Sequence, residues 1–594
     1  MTVARLSPLD YQALLRESKA LDTTGASRSL KLALLSDAAA QRMEPLLRTL
    51  FACRDADARI YTAPFGNIEL EVCNSESGLY QFQPDAIAIL NAIQSLRADF
   101  SCRKGNAAAF VEETVNRIVR IWEAIRSRTS ASIIQSNFVL PYERCFGNFD
   151  HKVSESFYAA VMNLNSRIAE AAKQHPGVFI NDVESIASWI GRRNWFDERL
   201  WDMAKSFCSH EHLPAVARNI VDITLAAQGQ VVKCVVLDLD NTLWGGVIGD
   251  DGLEHIQLSS HGDGEAFYRL QCYLRELHRR GVLLAVCSKN DLRNALLPFE
   301  KHPEMVLKRE DITVFAANWD DKAENIRKIR ETLNIGFDSM VFLDDNPFER
   351  DLVRELVPGV IVPELPSDSA DYVRAICELN LFETTSFSAE DVRRTELYQQ
   401  EYKRREKAAG YASVEAFLES LDMRIGVERF DQFHLPRIAQ LIQRSNQFNL
   451  TTRRITEAEC ESLMKDSRWI PLYATLSDRL GDHGLISVVI MEKRDETLAI
   501  HTWLMSCRVL ARGVEQFLMN TVFEEAKRLG LDQVSGEYIR TAKNEMVREF
   551  FRQFGFSLTE EKDGHTRWAL RVGEYSPSKT FLRAVSDVES AVTV

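Results

Sequence analysis

Short apolar runs alternate with longer amphipathic stretches along the first two thirds of the chain, the pattern of strands and helices in parallel α/β sheets. The runs at 30–35, 58–63, 86–90 and 132–140 predict four strands of a small doubly wound domain over about 28–225. An amphipathic helix within 1–25 precedes it. Three further strands are predicted at 235–237, 282–287 and 339–343. Between them lie a helix from Gly264 to Arg280, stopped by Gly281, and another starting near Asp320. After Pro363 and Pro366 the pattern loosens, and Ser388 to Asp391 reads as a capped helix start. Beyond about 420, strands predicted at 423–427, 469–476, 485–492 and 498–504 follow one another closely, then a helix 516–529 and another over 541–553. The expected organisation is α/β multidomain: a doubly wound domain 1–225, a Rossmann-like domain 226–370, a helical linker 371–420, an α+β domain 421–575 and a tail 576–594.

Composition adds boundaries to this picture. A chain of 594 residues, 45% hydrophobic and 27% charged, is a globular protein too long for one core. A net charge of −14 argues against nucleic acid or an anionic membrane as the main partner. There is no apolar run of membrane-spanning length and no signal-peptide core near Met1. Eleven scattered cysteines without a Cys-x-x-Cys pair suit reduced thiols, so a cytoplasmic protein is expected.

The chemistry sits where strands end. The run 235–237 stops at Asp238 and Asp240, followed by Asn241 and Thr242. The next strand stops at Ser288-Lys289-Asn290, and the last at Asp344-Asp345-Asn346. Lys322 lies at a helix start. Ligands of open α/β sheets bind at the carboxyl ends of strands. Carboxylates, a hydroxyl and a lysine gathered there suit phosphoryl transfer with an oxygen-ligated Mg²⁺. The set resembles the haloacid dehalogenase superfamily, whose Asp-x-Asp-x-Thr signature matches Asp238 to Thr242. The resemblance implies Asp238 as nucleophile, Asp240 as acid/base, and Ser288 and Lys322 as phosphoryl and carboxylate partners. It also implies Mg²⁺ on Asp238, the carbonyl of Asp240, and Asp344 or Asp345, with Asp345 favoured. Neither the flap at 245–252 nor the 33 residues between Ser288 and Lys322 has room for a full cap domain.

The N-terminal domain resembles the SGNH hydrolases in order of elements. In the nucleophile turn, however, Ser36-Asp37-Ala38 has alanine at the serine position, and Ser209-His-Glu-His212 lacks the family's aspartate. Alanine is no nucleophile, so this domain is expected to be catalytically silent and to serve docking or stability. The cluster Lys403-Arg404-Arg405-Glu406-Lys407 reads as a solvated helix end or as a landing site for an acidic carrier protein.

In the last domain, Cys507-Arg508 and Arg512-Gly513 lie between a strand and the helix from Gln516, an anion cradle of free N–H groups. This resembles the GCN5-related N-acetyltransferase (GNAT) fold, where that cradle holds the pyrophosphate of a pantetheine cofactor. Glu515 occupies a site often small. Cys507, beside Arg508 and a helix start, is the candidate acyl nucleophile; Cys287 is its rival, ranked lower because strand alternation turns it from the face of Ser288.

The two domains together, with Asp238 to Gly249, Asn446 to Thr452, Ser506-Cys507-Arg508 and Gly536 to Asn544, resemble the FkbH-like proteins over about 230–575. That resemblance implies a glyceryl transferase/phosphatase of polyketide biosynthesis. The substrate would be 1,3-bisphosphoglycerate, and the acceptor the phosphopantetheine arm of an acyl carrier protein. Asn241, Thr242, Lys289, Asn290, Asn346, His483, Arg508, Arg512 and Gly513 are the expected substrate-binding residues. Ala511 departs from the glycine expected there. Competing readings are a plain Mg²⁺-dependent phosphatase and a non-catalytic scaffold for carrier proteins.

Overall fold

The computed structural model describes residues 9–585 except 24, 25, 27, 409, 410, 412, 542 and 563; the side chains of 389, 402, 403, 405–408, 414 and 507 also lie outside the description. The chain divides into two compact units, Met1–Gln228 with Glu383–Thr385, and Gly229–Phe382 with Ser386–Val594.

The first unit is built on β1 (Arg28–Ser36), β2 (Ala56–Thr62), β3 (Ala86–Leu90), β4 (Ser132–Ser136) and β5 (Val178–Asn181), in the order β2-β1-β3-β4-β5, with every pairing parallel. Parallel strands covered on both faces read as continuous apolar runs, and Leu32 to Leu35 are all fully buried. Alternation assigns them to two cores. Leu30, Leu32 and Leu34 pack with residues of the helices Met43–Ala52 and Leu213–Ala227. Ala33 and Leu35 pack with those of Ala107–Arg126 and Phe157–Lys173. The strand expected over 132–140 ends at Ser136, and β5 escaped the sequence pattern because this short edge strand is only half buried at Phe179 and Ile180.

The second unit carries two sheets. In the first, β6 (Cys234–Leu237), β7 (Leu283–Ser288), β8 (Ile312–Ala317) and β9 (Met340–Leu343) run parallel in the order β8-β7-β6-β9. The two central strands, β6 and β7, are wholly buried, which explains their legibility; β8, half-exposed along most of its length, was not anticipated. The interval from Ser288 to Lys322 holds only the helix Leu292–Lys301, a short turn and β8, so among the described residues no cap domain is inserted there.

The second sheet runs β15-β16-β14-β13-β12-β11-β10-β17, from β10 (Arg424–Arg429), β11 (Trp469–Asp478), β12 (Gly481–Arg494), β13 (Thr497–Met505), β14 (Gln533–Ile539), β15 (Ser557–Lys562), β16 (His565–Arg571) and β17 (Arg583–Ala584). Pairing is antiparallel except at β13–β14 and β10–β17. A meander that turns parallel at β13–β14, with the helix Val514–Arg528 as the crossover, is the GNAT-like arrangement. The helix expected over 541–553 is corrected to a turn at Glu545–Val547 and one helical turn at Phe550–Gln553. Here Asn544 donates to the carbonyls of Asn449 and Ile539, so a side chain meets backbone needs that a helix would have met itself.

The intervening helices are docked against both sheets. Arg404 makes a bidentate pair with Asp478, both bonds 2.9 Å, and both side chains are almost fully buried. This corrects both readings of the 403–407 cluster for Arg404, which faces neither solvent nor a partner; the other side chains of the cluster, from 403 to 407, lie outside the described residues. No described helix is long and apolar enough to cross a membrane.

Candidate active site

The carboxyl ends of β6 and β9 bring the acidic residues together. Asp238, Asp344 and Asp345 each offer an oxygen, all within 4.8 Å of one another. Lys322, first residue of the helix Lys322–Leu333, reaches Asp344 Oδ2 at 2.6 Å and Asp238 Oδ1 at 3.0 Å. Burial opposes the charge on Lys322, but Asp238 and Asp344 more than reverse that and hold its proton tightly. One ammonium does not neutralise three carboxylates. Burial, with the Asp238 charge next, therefore pushes the Asp344 carboxyl up to about 6, and the same causes raise Asp345.

These groups fit a divalent cation. The donors are all oxygen, and Asp238 Oδ1 is buried without a well-directed hydrogen bond despite its nearness to Lys322. Asp345 belongs to the cluster, as does Asp344, so geometry does not choose between them. The carboxylate of Asp240 lies outside it: Oδ1 accepts from Trp244 Nε1 and Ile248 N–H, and Oδ2 from Asn290. Only the carbonyl of Asp240 remains for the metal role the resemblance implied. Burial raises this carboxyl too, which favours a proton there.

Several expected substrate contacts are engaged with the protein itself. Asn241, held at φ +54, accepts from Gly246 N–H, and Gly246 at φ +90 turns the flap. Thr242 exchanges hydrogen bonds with Asp345. Lys289 pairs with Glu349 at 2.7 Å, and Asn346 caps the helix Pro347–Leu356 by accepting from Phe348 N–H. Ser288 is buried at the end of β7, beside the strand that carries Asp238. Arg350, which sequence reasoning missed, donates to the carbonyls of Asp344 and Asp345 and so fixes the turn that presents them. Its position three residues after Pro347 was the available signal.

The loop after β13 differs from expectation. His483 is 3% and Arg512 6% exposed. His483 Nε2 donates to Asp478 and lies beside the Arg512 guanidinium, which pairs with Glu401 and Asp478. This corrects their assignment as substrate contacts: they belong to the buried network around Arg404. Arg508 pairs with Glu390. Ala511 adopts φ +60, the left-handed region where glycine costs least, and Gly513 at φ +81 opens the helix Val514–Arg528. Glu515 is half-buried at the start of that helix, and burial raises its carboxyl.

The gap between β13 and β14 is filled by the chain. β13 and β14 pair only over Thr497–Ile500 and Gln533–Gly536, then separate. The chain itself enters the gap: Met505 N–H donates to Phe448 O, Leu450 N–H to Trp503 O, and Ile539 N–H to Leu450 O. The side chain of Cys507 lies outside the described residues. Its rival Cys287 is buried, which pushes the thiol far above its ordinary range, and Sγ faces the carbonyl of Lys322.

This architecture has relatives. Residues 31–225 match the FkbH N-terminal domain family. The N-terminal part of the protein BF1531 from Bacteroides fragilis, containing a phosphatase domain and complexed with Mg, is 39% identical, with a TM-score of 0.60, over 64% of this chain and 100% of that chain. The chain belongs to the same family as that protein. Two N-acetyltransferases are similar at the level of fold. The ribosomal-protein-S18-alanine enzyme from Escherichia coli is 14% identical, with a TM-score of 0.21, over 25% of this chain and 94% of that chain. The spermidine enzyme from Vibrio cholerae, in complex with CoA and spermine, is 13% identical, with a TM-score of 0.21, over 26% of this chain and 98% of that chain. No curated protein matches the chain.

Proposed function

We propose that the second unit is an FkbH-like phosphatase that also transfers a glyceryl unit. It would take 1,3-bisphosphoglycerate, release both phosphates, and load glyceryl onto the phosphopantetheine thiol of an acyl carrier protein for polyketide biosynthesis. The observation that carries the phosphatase half is the convergence of Asp238, Asp344 and Asp345 beside Lys322, in the family of a Mg-complexed phosphatase-domain protein. Asp238, Asp344 and Asp345 would hold Mg²⁺, which neutralises charge on the phosphoryl oxygens when bound. Asp238 attacks phosphorus as the bond to the leaving alkoxide breaks, and Asp240 delivers the proton that alkoxide needs. Asp240 then takes a proton from the water that releases inorganic phosphate from Asp238. Lys322 and Ser288 steady the charge in both steps. In the acyl half, the Cys507 thiolate displaces phosphate from the acyl phosphate, and the carrier thiol displaces Cys507. The SGNH-like N-terminal domain, with Ala38 in its turn, serves docking or stability.

The test is intact-protein mass spectrometry with Mg²⁺, 1,3-bisphosphoglycerate and holo-carrier proteins. Asp238→Asn is expected to acquire acyl mass on a cysteine and to keep the 3-phosphate; normal dephosphorylation by this variant sinks the nucleophile assignment. Carrier loading at full rate by Cys507→Ala sinks the acyl site. A second reading, a Mg²⁺-dependent phosphatase of small phosphorylated metabolites without acyl transfer, is favoured by the filled gap at Phe448–Leu450. It expects phosphate release with no acyl mass on any thiol.

A further inference from the structure

A cavity of about 310 Å³ lies within the second unit, between its two sheets and the docked linker helices. Five guanidinium groups line it, one of them Arg330 of the helix Lys322–Leu333, and the other four form a cluster. Arg437 and Arg444 come from one face of the helix Leu435–Arg444, Arg394 from the linker, and Arg508 from the loop after β13. Two carboxylates answer them: Glu390 pairs with Arg437 and Arg508, and Asp391 with Arg394 and Arg444. Lys543 and Asp338, which also line the cavity, pair with each other and leave that balance unchanged. The four clustered arginines therefore outnumber their two paired carboxylates by two in a half-enclosed space, whose lining also holds Arg330 and Lys233. Burial, and then the neighbouring Arg508 and Arg394, pull the Arg437 guanidinium down to about 10 although Glu390 opposes this. Arg437 Nε is buried against Glu390 without a directed hydrogen bond. A seam that merely joined two domains would be expected to balance its charges, because uncompensated buried charge is costly.

The geometry points to a binding site for a small phosphate monoester, whose dianion supplies the missing charge and accepts the forked donors of arginine. The volume, at the low end of ligand pockets, suits a three-carbon phosphorylated acid better than a nucleotide-sized cofactor. Met505, Ser506 and Arg508 line the cavity and bracket position 507, so the reading rests on the acyl-transfer proposal above and names its substrate pocket. The cavity also lies far from Asp238. Lys233 and Ser339 border it just before β6 and β9, and Asp238 and Asp344 follow those strands. Five extended residues span ~16 Å at ~3.3 Å each. A phosphate held by the arginines is therefore separated from the phosphatase site by the length of the strands. Acyl capture and dephosphorylation occur at opposite strand ends, and the substrate has to move between them.

Amide hydrogen exchange of the full-length protein with 3-phosphoglycerate as probe tests this directly. Exchange is expected to slow at 441–448 and 505–510, with no such change for glycerate, which lacks the phosphate. Slowing confined to 238–246, 288–290 and 344–346 would overturn the site. In calorimetric titration, Arg437→Gln is expected to bind the probe roughly tenfold or more weakly, with the residual binding at the phosphatase site. An unchanged isotherm for that variant also overturns it. Should Arg437→Gln fail to fold, the exchange map of the unaltered protein decides alone. Carrier loading is read separately: loading without this exchange pattern overturns only the cavity, and the pattern without loading overturns only the acyl-transfer reading.

Discussion

Burial pushes the Asp37 carboxyl up to about 6 from 3.8, even though Ala92 N–H and Asn91 donate to it. The folded state then binds the proton more tightly than the unfolded one. Its contribution to stability is fully present below about pH 4 and is lost as pH rises through about 6. The loss at neutral pH is about 3 kcal/mol from the size of that shift. Asp37→Asn keeps an acceptor and removes the charge, so it is expected to raise Tm at pH 7.5 and to change it little at pH 4. The same difference at both pH values would refute this. Asp37 thus holds its place at an energetic cost, for the hydrogen bonds it accepts from Asn91 and Ala92 just past β3. Ala511 is similar, a residue in a conformation that glycine holds more easily.

Among elements, the helix Arg394–Ala408 gains its place from one residue. Arg404 forks onto Asp478 at the end of β11, and Asp478 also accepts from His483. Side chains near the helix N-terminus tie it to the other sheet of the unit, where Arg394 donates to Gly281 O. Arg404→Leu leaves Asp478 buried without its bidentate partner and is expected to lower stability by roughly 3–5 kcal/mol in urea titration. Replacing both Arg404 and Asp478 with leucine should cost less than replacing Arg404 alone, as removal of both buried charges requires. A double variant worse than the single one would show that shape, not charge, holds the helix.

For the molecule as a whole, each compact unit has its own cores. Residues 1–228 close two apolar layers around one sheet. In the second unit the linker's Arg404 and Glu390 form ion pairs on the side of the second sheet, and its Arg394 and Gln399 donate to the carbonyls of Gly281 and Glu310 beside the first. A fragment spanning 1–228 is expected to unfold in one calorimetric transition of its own. The fragment 229–594 is expected to give a single transition as well; two resolved transitions from it would show that its sheets are energetically independent.

The sequence alone determined the strands that are buried on both faces, because those positions are apolar whatever the neighbours, and it determined the charged residues that meet at the strand ends, because their pattern is local to those ends. Asp238, Lys322, Asp344 and Asp345 were legible for that reason. Half-exposed edges such as β5 and β8 were not, since their composition resembles that of loops. Only the tertiary structure decided that His483, Arg404 and Arg512 are internal, that Phe448–Leu450 fills the gap between β13 and β14, and that Arg394, Arg437, Arg444 and Arg508 meet. Those facts depend on residues dozens to over a hundred positions apart in one space. No local period encodes such a meeting; it appears only when two sheets and a linker are packed against each other.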